Sequence, residues 1–259
     1  MATANIEHAV ENSHAHEEEH HHEDNFITKY IFSQDHKMIG KQFLITGILW
    51  AFIGGLLSIL FRLQLGFPGM DMTFLKPLLG GWISETGSLD PEFYLAMVTM
   101  HGTIMVFFVL TAGLSGTFSN FLIPLQIGAR DMASGFMNML SYWFFFLASV
   151  IMLSSLFLET GPAAGGWVVY PPLSALPQAI QGSGMGMTLW LIAMVFFIAS
   201  TLLGGINYIT TIINLRTKGM SFARLPLTIW AFFLTAIIGL LSFPVLVAAA
   251  LLLVFDRSF

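Results

Sequence analysis

The chain has 259 residues, a formal net charge of −5, and 56% hydrophobic against only 10% charged residues, far below the roughly 25% charged of a soluble domain. With 25 phenylalanines and a mean hydropathy of +0.77, this composition excludes an ordinary soluble globule and predicts an all-α integral membrane protein. The absence of cysteine excludes a disulfide framework, thiolate catalysis and a thiolate metal site within this chain.

Residues 1–25 come first and are unlike the rest. They include HAVENSHAHEEEHHHEDN, with no basic segment followed by an apolar one, so they do not read as a signal peptide. Eight of the 15 acidic residues fall in the first 35 positions. Such a stretch buries too little apolar surface to offset its ordering entropy, which predicts a disordered His/Glu-rich tail. Its six histidines could bind divalent metal loosely; a plainly solvated tail is the simpler account.

Residues 26–259 form the predicted membrane domain. A bilayer core of roughly 30 Å needs about 20 apolar residues in a helix. Five stretches qualify: 39–62, 93–125, 132–158, 186–214 and 227–255. In lipid a backbone must satisfy its own hydrogen bonds, so each is expected to be helical. With the N-terminus cytoplasmic, that side holds Lys29, Lys37, Lys41, Arg130, Arg216, Lys218 and Arg224, and the other holds Arg62, Lys76 and Arg257. Seven against three favours the N-terminus inside. The loops 63–92 and 159–185, rich in Gly, Pro and Trp, then cap the outer face.

Ionisable groups within spans are costly and mark function. His101 is the one histidine inside a hydrophobic run, two turns into the second span, and Arg62 ends the first at similar depth. A neutral imidazole is a common metal ligand and a frequent axial ligand of haem iron; an interhelical hydrogen bond would equally account for it. Gly102, Gly113 and Gly116 would let a flat macrocycle or another helix approach. Arg62 could simply snorkel to the interface.

A second polar group lies toward the cytoplasmic side. Asn120, Asp131, Asn138 and Ser141 surround the turn between spans two and three, and Asp131 is the only carboxylate between Glu92 and Glu159. On span four, Ser200, Asn207 and Asn214 recur every seven residues, with Gly204 and Thr211 on nearly the same face. Such a stripe can hold a file of water with an acid at its mouth, a proton entrance; polar contacts between helices would explain it too. No phosphate-binding loop, Ser/His/Asp arrangement or nucleic-acid patch is present.

These residues carry a resemblance. DHKMIG (35–40), SILFRLQLGFPG (58–69), MHGTIMVFF (100–108), NFLIPLQIGARDMA (120–133), MNMLSYW (137–143), GGWVVYPPL (165–173), LLGGINYITTIINLR (202–216) and LPLTIWAFFLTAIIGLLSFPVLVAAA (225–250) together resemble subunit I of the haem–copper terminal oxidases, of the type with an aspartate-gated proton channel. The resemblance implies the first five helices of the family's twelve-helix bundle. It implies that His101 is one of two axial ligands of the low-spin haem, of the haem A type in cytochrome c oxidases. Arg62 matches the arginine that hydrogen-bonds a peripheral haem group, and Trp167 and Tyr170 match the outer-face loop over the haems. Asp131 matches the channel's entrance acid, and Asn120, Asn138, Ser141, Ser200, Thr201 and Asn207 its polar lining.

There are departures. Arg130 stands where the family often has Pro, and a cation there favours the ionised acid. Val195 replaces a common histidine, and Met139 the second residue of an Asn pair. The chain stops after its fifth span, so the ligands of the high-spin haem and copper, the second axial histidine and the channel's terminal carboxylate are expected outside it. The expectation is therefore the N-terminal part of a longer, or split, subunit I that reduces dioxygen and pumps protons only when complete. Expected partners are the remainder of subunit I, subunits II and III, the lipid bilayer, and cytochrome c or quinol as electron donor, in a bacterial inner membrane. A non-catalytic bundle that keeps oxidase-like helices is the competing expectation, and nitric oxide reduction is disfavoured by the Asp131 pattern.

Overall fold

The computed structural model describes residues 25–158, 160–180 and 182–258. The tail expected over 1–25 therefore lies, except for Asn25, outside the described residues. The chain divides into two units, Met1–Ser33 and Gln34–Phe259. In the first, the described residues 25–33 include one π-helical turn, Ile27–Ile31, closed by Phe32 N–H donating to the Ile27 carbonyl at 2.9 Å.

Among the described residues, the second unit contains five helices long and apolar enough to cross a membrane: α1 (His36–Gly66), α2 (Pro91–Ile127), α3 (Gly135–Ser155), α4 (Met185–Asn214) and α5 (Leu227–Ser258). Each lies over one expected stretch, with ends set by capping rather than by hydropathy. Asp35 accepts from Met38 N–H to start α1. Asp90 accepts from Glu92 N–H, with Pro91 at the first position of α2, where its missing donor costs nothing. α2 stops at Gly128, whose φ of +73° is the left-handed conformation glycine adopts freely. The third span is shorter than the expected 132–158. Residues 128–134 turn sharply, and Ser134 caps α3 by accepting from Met137 N–H.

α1 and α2 run antiparallel with their backbones very close. A Cβ on Gly47 would lie 2.9 Å from Gly113 Cα, and one on Gly54 would lie 2.9 Å from Ile104 Cγ2. Small residues at such crossings replace the hydrophobic driving force that lipid removes. Further along, Phe61 meets Tyr94 edge-on at 6.0 Å. Between His101 and this contact with Gly113, α2 changes character: Ile104–Leu114 is a π-helix, and Thr111 Oγ1 donates to the Val106 carbonyl five residues back. Wide turns of this kind gather at functional sites.

The core at mid-height is aromatic. Phe108, Phe145 and Phe197 are fully buried. Phe108 lies 5.8 Å from both Phe145 and Phe197, and Phe43 stacks on Phe145 at 5.5 Å. A second apolar cluster, Ile123, Ile127, Met132, Ile212, Leu225 and Ile229, seals the end of the bundle that carries Asp131. α5 is the least covered helix, its most apolar window only 6% buried against 33% or more for the others. Arg257, near its end, donates to the carbonyls of Ser174, Ser183 and Gly184, tying α5 to the loop between α3 and α4.

Candidate functional site

The polar residues assemble at two levels. At one end, the 128–134 turn is docked on α4 by an amide and a hydroxyl. Asn207 Oδ1 accepts from Ser134 N–H at 2.9 Å while its Nδ2 donates to the Ser134 carbonyl at 3.1 Å. Thr211 Oγ1 accepts from Ala133 N–H at 2.9 Å. This fixes the half-buried Asp131, whose Oδ1 accepts from Met132 N–H at 2.6 Å and lies 3.1 Å from His36 Nδ1. His36 is buried and also sits 3.4 Å from Asp35 Oδ1.

One layer further in, Asn138 Nδ2 donates to Asn120 Oδ1 at 2.5 Å, and Asn120 Nδ2 donates to the Gly116 carbonyl at 2.7 Å. Both asparagines are fully buried. Asn138 Oδ1 has no hydrogen-bond partner among the described residues, the condition that a bound water relieves. Beyond them Ser141 Oγ donates to the Asn138 carbonyl and Ser200 Oγ to the Ser141 carbonyl. Thr201 donates to Ile198. Ser141, Ser200 and Thr201 line a cavity of about 80 Å³ that Tyr208 and Thr235 also border, against roughly 30 Å³ for one water in the liquid. The predicted polar residues thus form two groups: Asn207 and Thr211 hold the turn that carries Asp131, and Asn120, Asn138, Ser141 and Ser200 are linked by hydrogen bonds to one another's side chains or carbonyls. Asn214 alone of the span-four stripe is left exposed, at the last residue of α4.

At the other level stands His101, half-buried, with Nδ1 2.9 Å from the Gly54 carbonyl. A carbonyl can only accept, so Nδ1 carries a proton, and in the neutral ring this leaves the lone pair on Nε2. This tautomer, fixed by a backbone carbonyl, is the one a ligating imidazole uses, so the residue fits a haem ligand. The ring of Phe61 meets it edge-on at 5.7 Å. Gly102 beside it is covered by Trp167, whose Cβ lies 3.3 Å from where a Gly102 Cβ would be. The loop is tied there by Gly166 N–H donating to Thr99 Oγ1. Arg62 is exposed, bonded to the Ser58 carbonyl at 3.3 Å and stacked at 4.9 Å over Phe61. Tyr170 is 70% exposed, away from His101's immediate contacts.

Sequence reasoning missed His36 as a partner of Asp131, and missed Tyr208. His36 could have been found. It opens α1 beside a capping aspartate, at the same end as Asp131.

Five apolar helices long enough to span a membrane, with an imidazole held by a backbone carbonyl and hydrogen-bonded amides between the helices, define the class as a polytopic helical membrane protein. The family is specific. The family model described as Cytochrome C and Quinol oxidase polypeptide I matches residues 38–259, and the chain belongs to this family, one of haem–copper oxidoreductases. It is 42% identical over 230 residues to the alternative cytochrome c oxidase subunit 1 of Bradyrhizobium diazoefficiens, covering 89% of this chain and 36% of that protein. It is 37% identical over 249 residues to cytochrome c oxidase subunit 1 of Cereibacter sphaeroides (90% and 43%). Against that of Thermostichus vulcanus it is 36% identical over 230 residues (89% and 38%). The chain spans less than half the length of these curated relatives.

Proposed function

We propose that this chain is the N-terminal part of the catalytic subunit of a proton-pumping respiratory terminal oxidase of the cytochrome c oxidase kind. It would sit in a bacterial inner membrane with its N-terminus in the cytoplasm. The observation that carries this reading is the His101–Gly54 bond, which orients an imidazole within a membrane-length helix, on the same bundle as a buried asparagine pair and the half-buried Asp131.

His101 would hold a low-spin haem, which when bound would supply one-electron transfer at a potential tuned by its surroundings. This chain's own residues then have defined tasks. The Gly54 carbonyl orients the imidazole, Gly102 leaves room beneath Trp167, and Arg62 would donate to a peripheral anionic group of the haem. Tyr170 belongs to the same covering loop. Asp131 collects protons from the aqueous side, and Asn120, Asn138 and Asn207 hold the water that carries them to the Ser141, Ser200 and Thr201 hydroxyls. The second axial ligand, the high-spin haem and the copper belong to the remainder of subunit I. Subunits II and III and cytochrome c complete the assembly.

The test uses the complete subunit in its assembled complex. His101→Leu is expected to abolish the low-spin haem absorption band; an unaltered spectrum would remove the ligand assignment. Asp131→Asn is expected to slow proton uptake, and turnover and pumping equal to the parent would reject the acid as collector.

A further inference from the structure

The wide turns of α2 carry a hydroxyl with no part in the reading so far. Within Ile104–Leu114, Thr111 Oγ1 donates to the Val106 carbonyl at 2.7 Å. Val106 is five residues back, so its carbonyl is the one that a π-helical pattern pairs with the N–H of residue 111. A threonine in an α-helix bonds a carbonyl three or four residues back. The side chain therefore reinforces the wide turn on which it sits.

The same residue borders the cavity lined by Ser141, Ser200 and Thr201. At about 80 Å³, and with roughly 30 Å³ for one water in the liquid, the cavity has room for about two. Its hydroxyls share one feature. Ser141 Oγ donates to the Asn138 carbonyl at 2.7 Å, Ser200 Oγ to the Ser141 carbonyl at 2.6 Å and Thr201 Oγ1 to the Ile198 carbonyl at 2.9 Å. Like Thr111, each directs its single proton to a backbone carbonyl and keeps oxygen lone pairs for another donor.

These acceptors come from three helices, with Thr111 on α2, Ser141 on α3, and Ser200 and Thr201 on α4. A water among them donates to two sides of the cavity, while its own oxygen stays open to a proton arriving from the next water. On the α2 side Ala112 and Gly116 also border the cavity and offer no side-chain acceptor. Valine at 111 would fill the same space without the desolvation cost of a polar atom. Holding the wide turn uses only the proton of Thr111, which leaves its lone pairs for the cavity.

We propose that Thr111 is a positioning residue of the proton path: from α2 it accepts from the water that the Ser141, Ser200 and Thr201 hydroxyls hold on the other side, and so fixes how that water is turned. In the transfer, an O–H bond forms on that water as another of its O–H bonds breaks toward the next oxygen. Thr111 keeps its own proton and no group is oxidised or reduced. The proposal rests on Asp131 being the proton entrance.

The experiment compares Thr111→Val, Thr111→Ala, Thr111→Ser and Asp131→Asn in the complete subunit, assembled and reconstituted in vesicles. Thr111→Val is expected to slow proton uptake several-fold and to raise its H₂O/D₂O rate ratio, with the low-spin haem spectrum unchanged. Thr111→Ala, which adds no bulk, is expected to do the same, so the outcome does not hang on one variant's assembly. Thr111→Ser keeps the hydroxyl and is expected to return both quantities toward the parent. Equal slowing in the serine and valine variants, or slowing with a parent-like isotope ratio, would make the residue a packing element and overturn its role. Parent-like uptake in Thr111→Val and Thr111→Ala, with Asp131→Asn impaired, overturns that role alone. Parent-like uptake in Asp131→Asn as well overturns the proton-entrance reading on which it stands.

Discussion

Four glycines of the first two spans make an internally controlled prediction about what holds the bundle together. A Cβ added at Gly113 would lie 2.8 Å from Gly47 Cα and 2.9 Å from the Phe108 carbonyl oxygen, and one at Gly47 would lie 2.9 Å from Gly113 Cα. These neighbours are backbone, and neither helix can yield without moving as a rod. At Gly54 the nearest atoms are Ile104 Cγ2 at 2.9 Å and Met105 Sδ at 3.0 Å, side-chain ends that can rotate. At Gly55 nothing lies within 4 Å. Each Gly→Ala change gains about 0.5–1 kcal/mol of helix propensity, a gain common to all four. The overpacking cost of about 1–3 kcal/mol falls fully on Gly47→Ala and Gly113→Ala, partly on Gly54→Ala and not on Gly55→Ala. Thermal unfolding of the detergent-solubilised complete subunit is expected to rank them Gly55→Ala highest, then Gly54→Ala, with Gly47→Ala and Gly113→Ala lowest. The lowest variants should fall about 1–3 kcal/mol below Gly55→Ala. A Gly113→Ala protein as stable as Gly55→Ala would refute the close backbone crossing.

Three further predictions concern the ends of the bundle. Asn207→Ala removes both bonds to Ser134, and at about 0.6 kcal/mol on average for an interhelical bond in a membrane, with a maximum near 1.7, it should cost about 1–3 kcal/mol; faster hydrogen exchange at the Ser134 amide would register it. Arg257→Leu should release the loop between α3 and α4, read as faster limited proteolysis near residues 174–184. Arg257→Lys should restore it only in part, since an ammonium cannot fork to three carbonyls as a guanidinium does. Both the hydroxyl and the backbone N–H of Thr73 donate to Asp71, holding its carboxyl below the ordinary 3.8. A lowered folded value means this support is present at every pH above about 4 and lost only as pH falls through the lowered value. Thr73→Val should move the carboxyl's titration back up, as followed by infrared spectroscopy.

The five spans were legible because hydropathy over twenty residues is a local quantity. Their ends were not, wherever a distant residue decided them. Nothing near 132–134 signals that Asn207 and Thr211 will hold that backbone, yet their bonds turn the expected first residues of span three into a loop. The π-helical stretch of α2 was invisible for a different reason. A run as apolar as IMVFFVLTAGL has no polar face whose period could distinguish one turn width from another. Among site residues, Asn120, Asp131 and Asn138 were read as one group around the turn, and the structure joins Asn120 to Asn138 and sets Asn207 against the turn that carries Asp131. The Asn120–Asn138 bond spans two helices and could be anticipated only from the short connection between them. His36 escaped because a histidine at a helix start reads as surface, whereas it is buried against Asp131.

The separation of α1 and α2 bears on both levels of the site at once. Gly40, Gly47 and Gly54 recur every seven residues along α1, and each faces α2 at contact distance. A Cβ at Gly40 would lie 3.3 Å from Asn120 Cβ and closer still to the Phe121 ring, while Gly54 offers its carbonyl to His101. The amide pair and the imidazole are thus referred to one helix axis, with the Gly47–Gly113 crossing between them as the fulcrum. A substitution that levers the crossing open should therefore disturb His101 and Asn120 together although it touches neither. Loss of only one of the two would mean that each site is held by its own local contacts. Packed helices move as rigid bodies rather than deform continuously, so the joint response is the outcome this geometry requires.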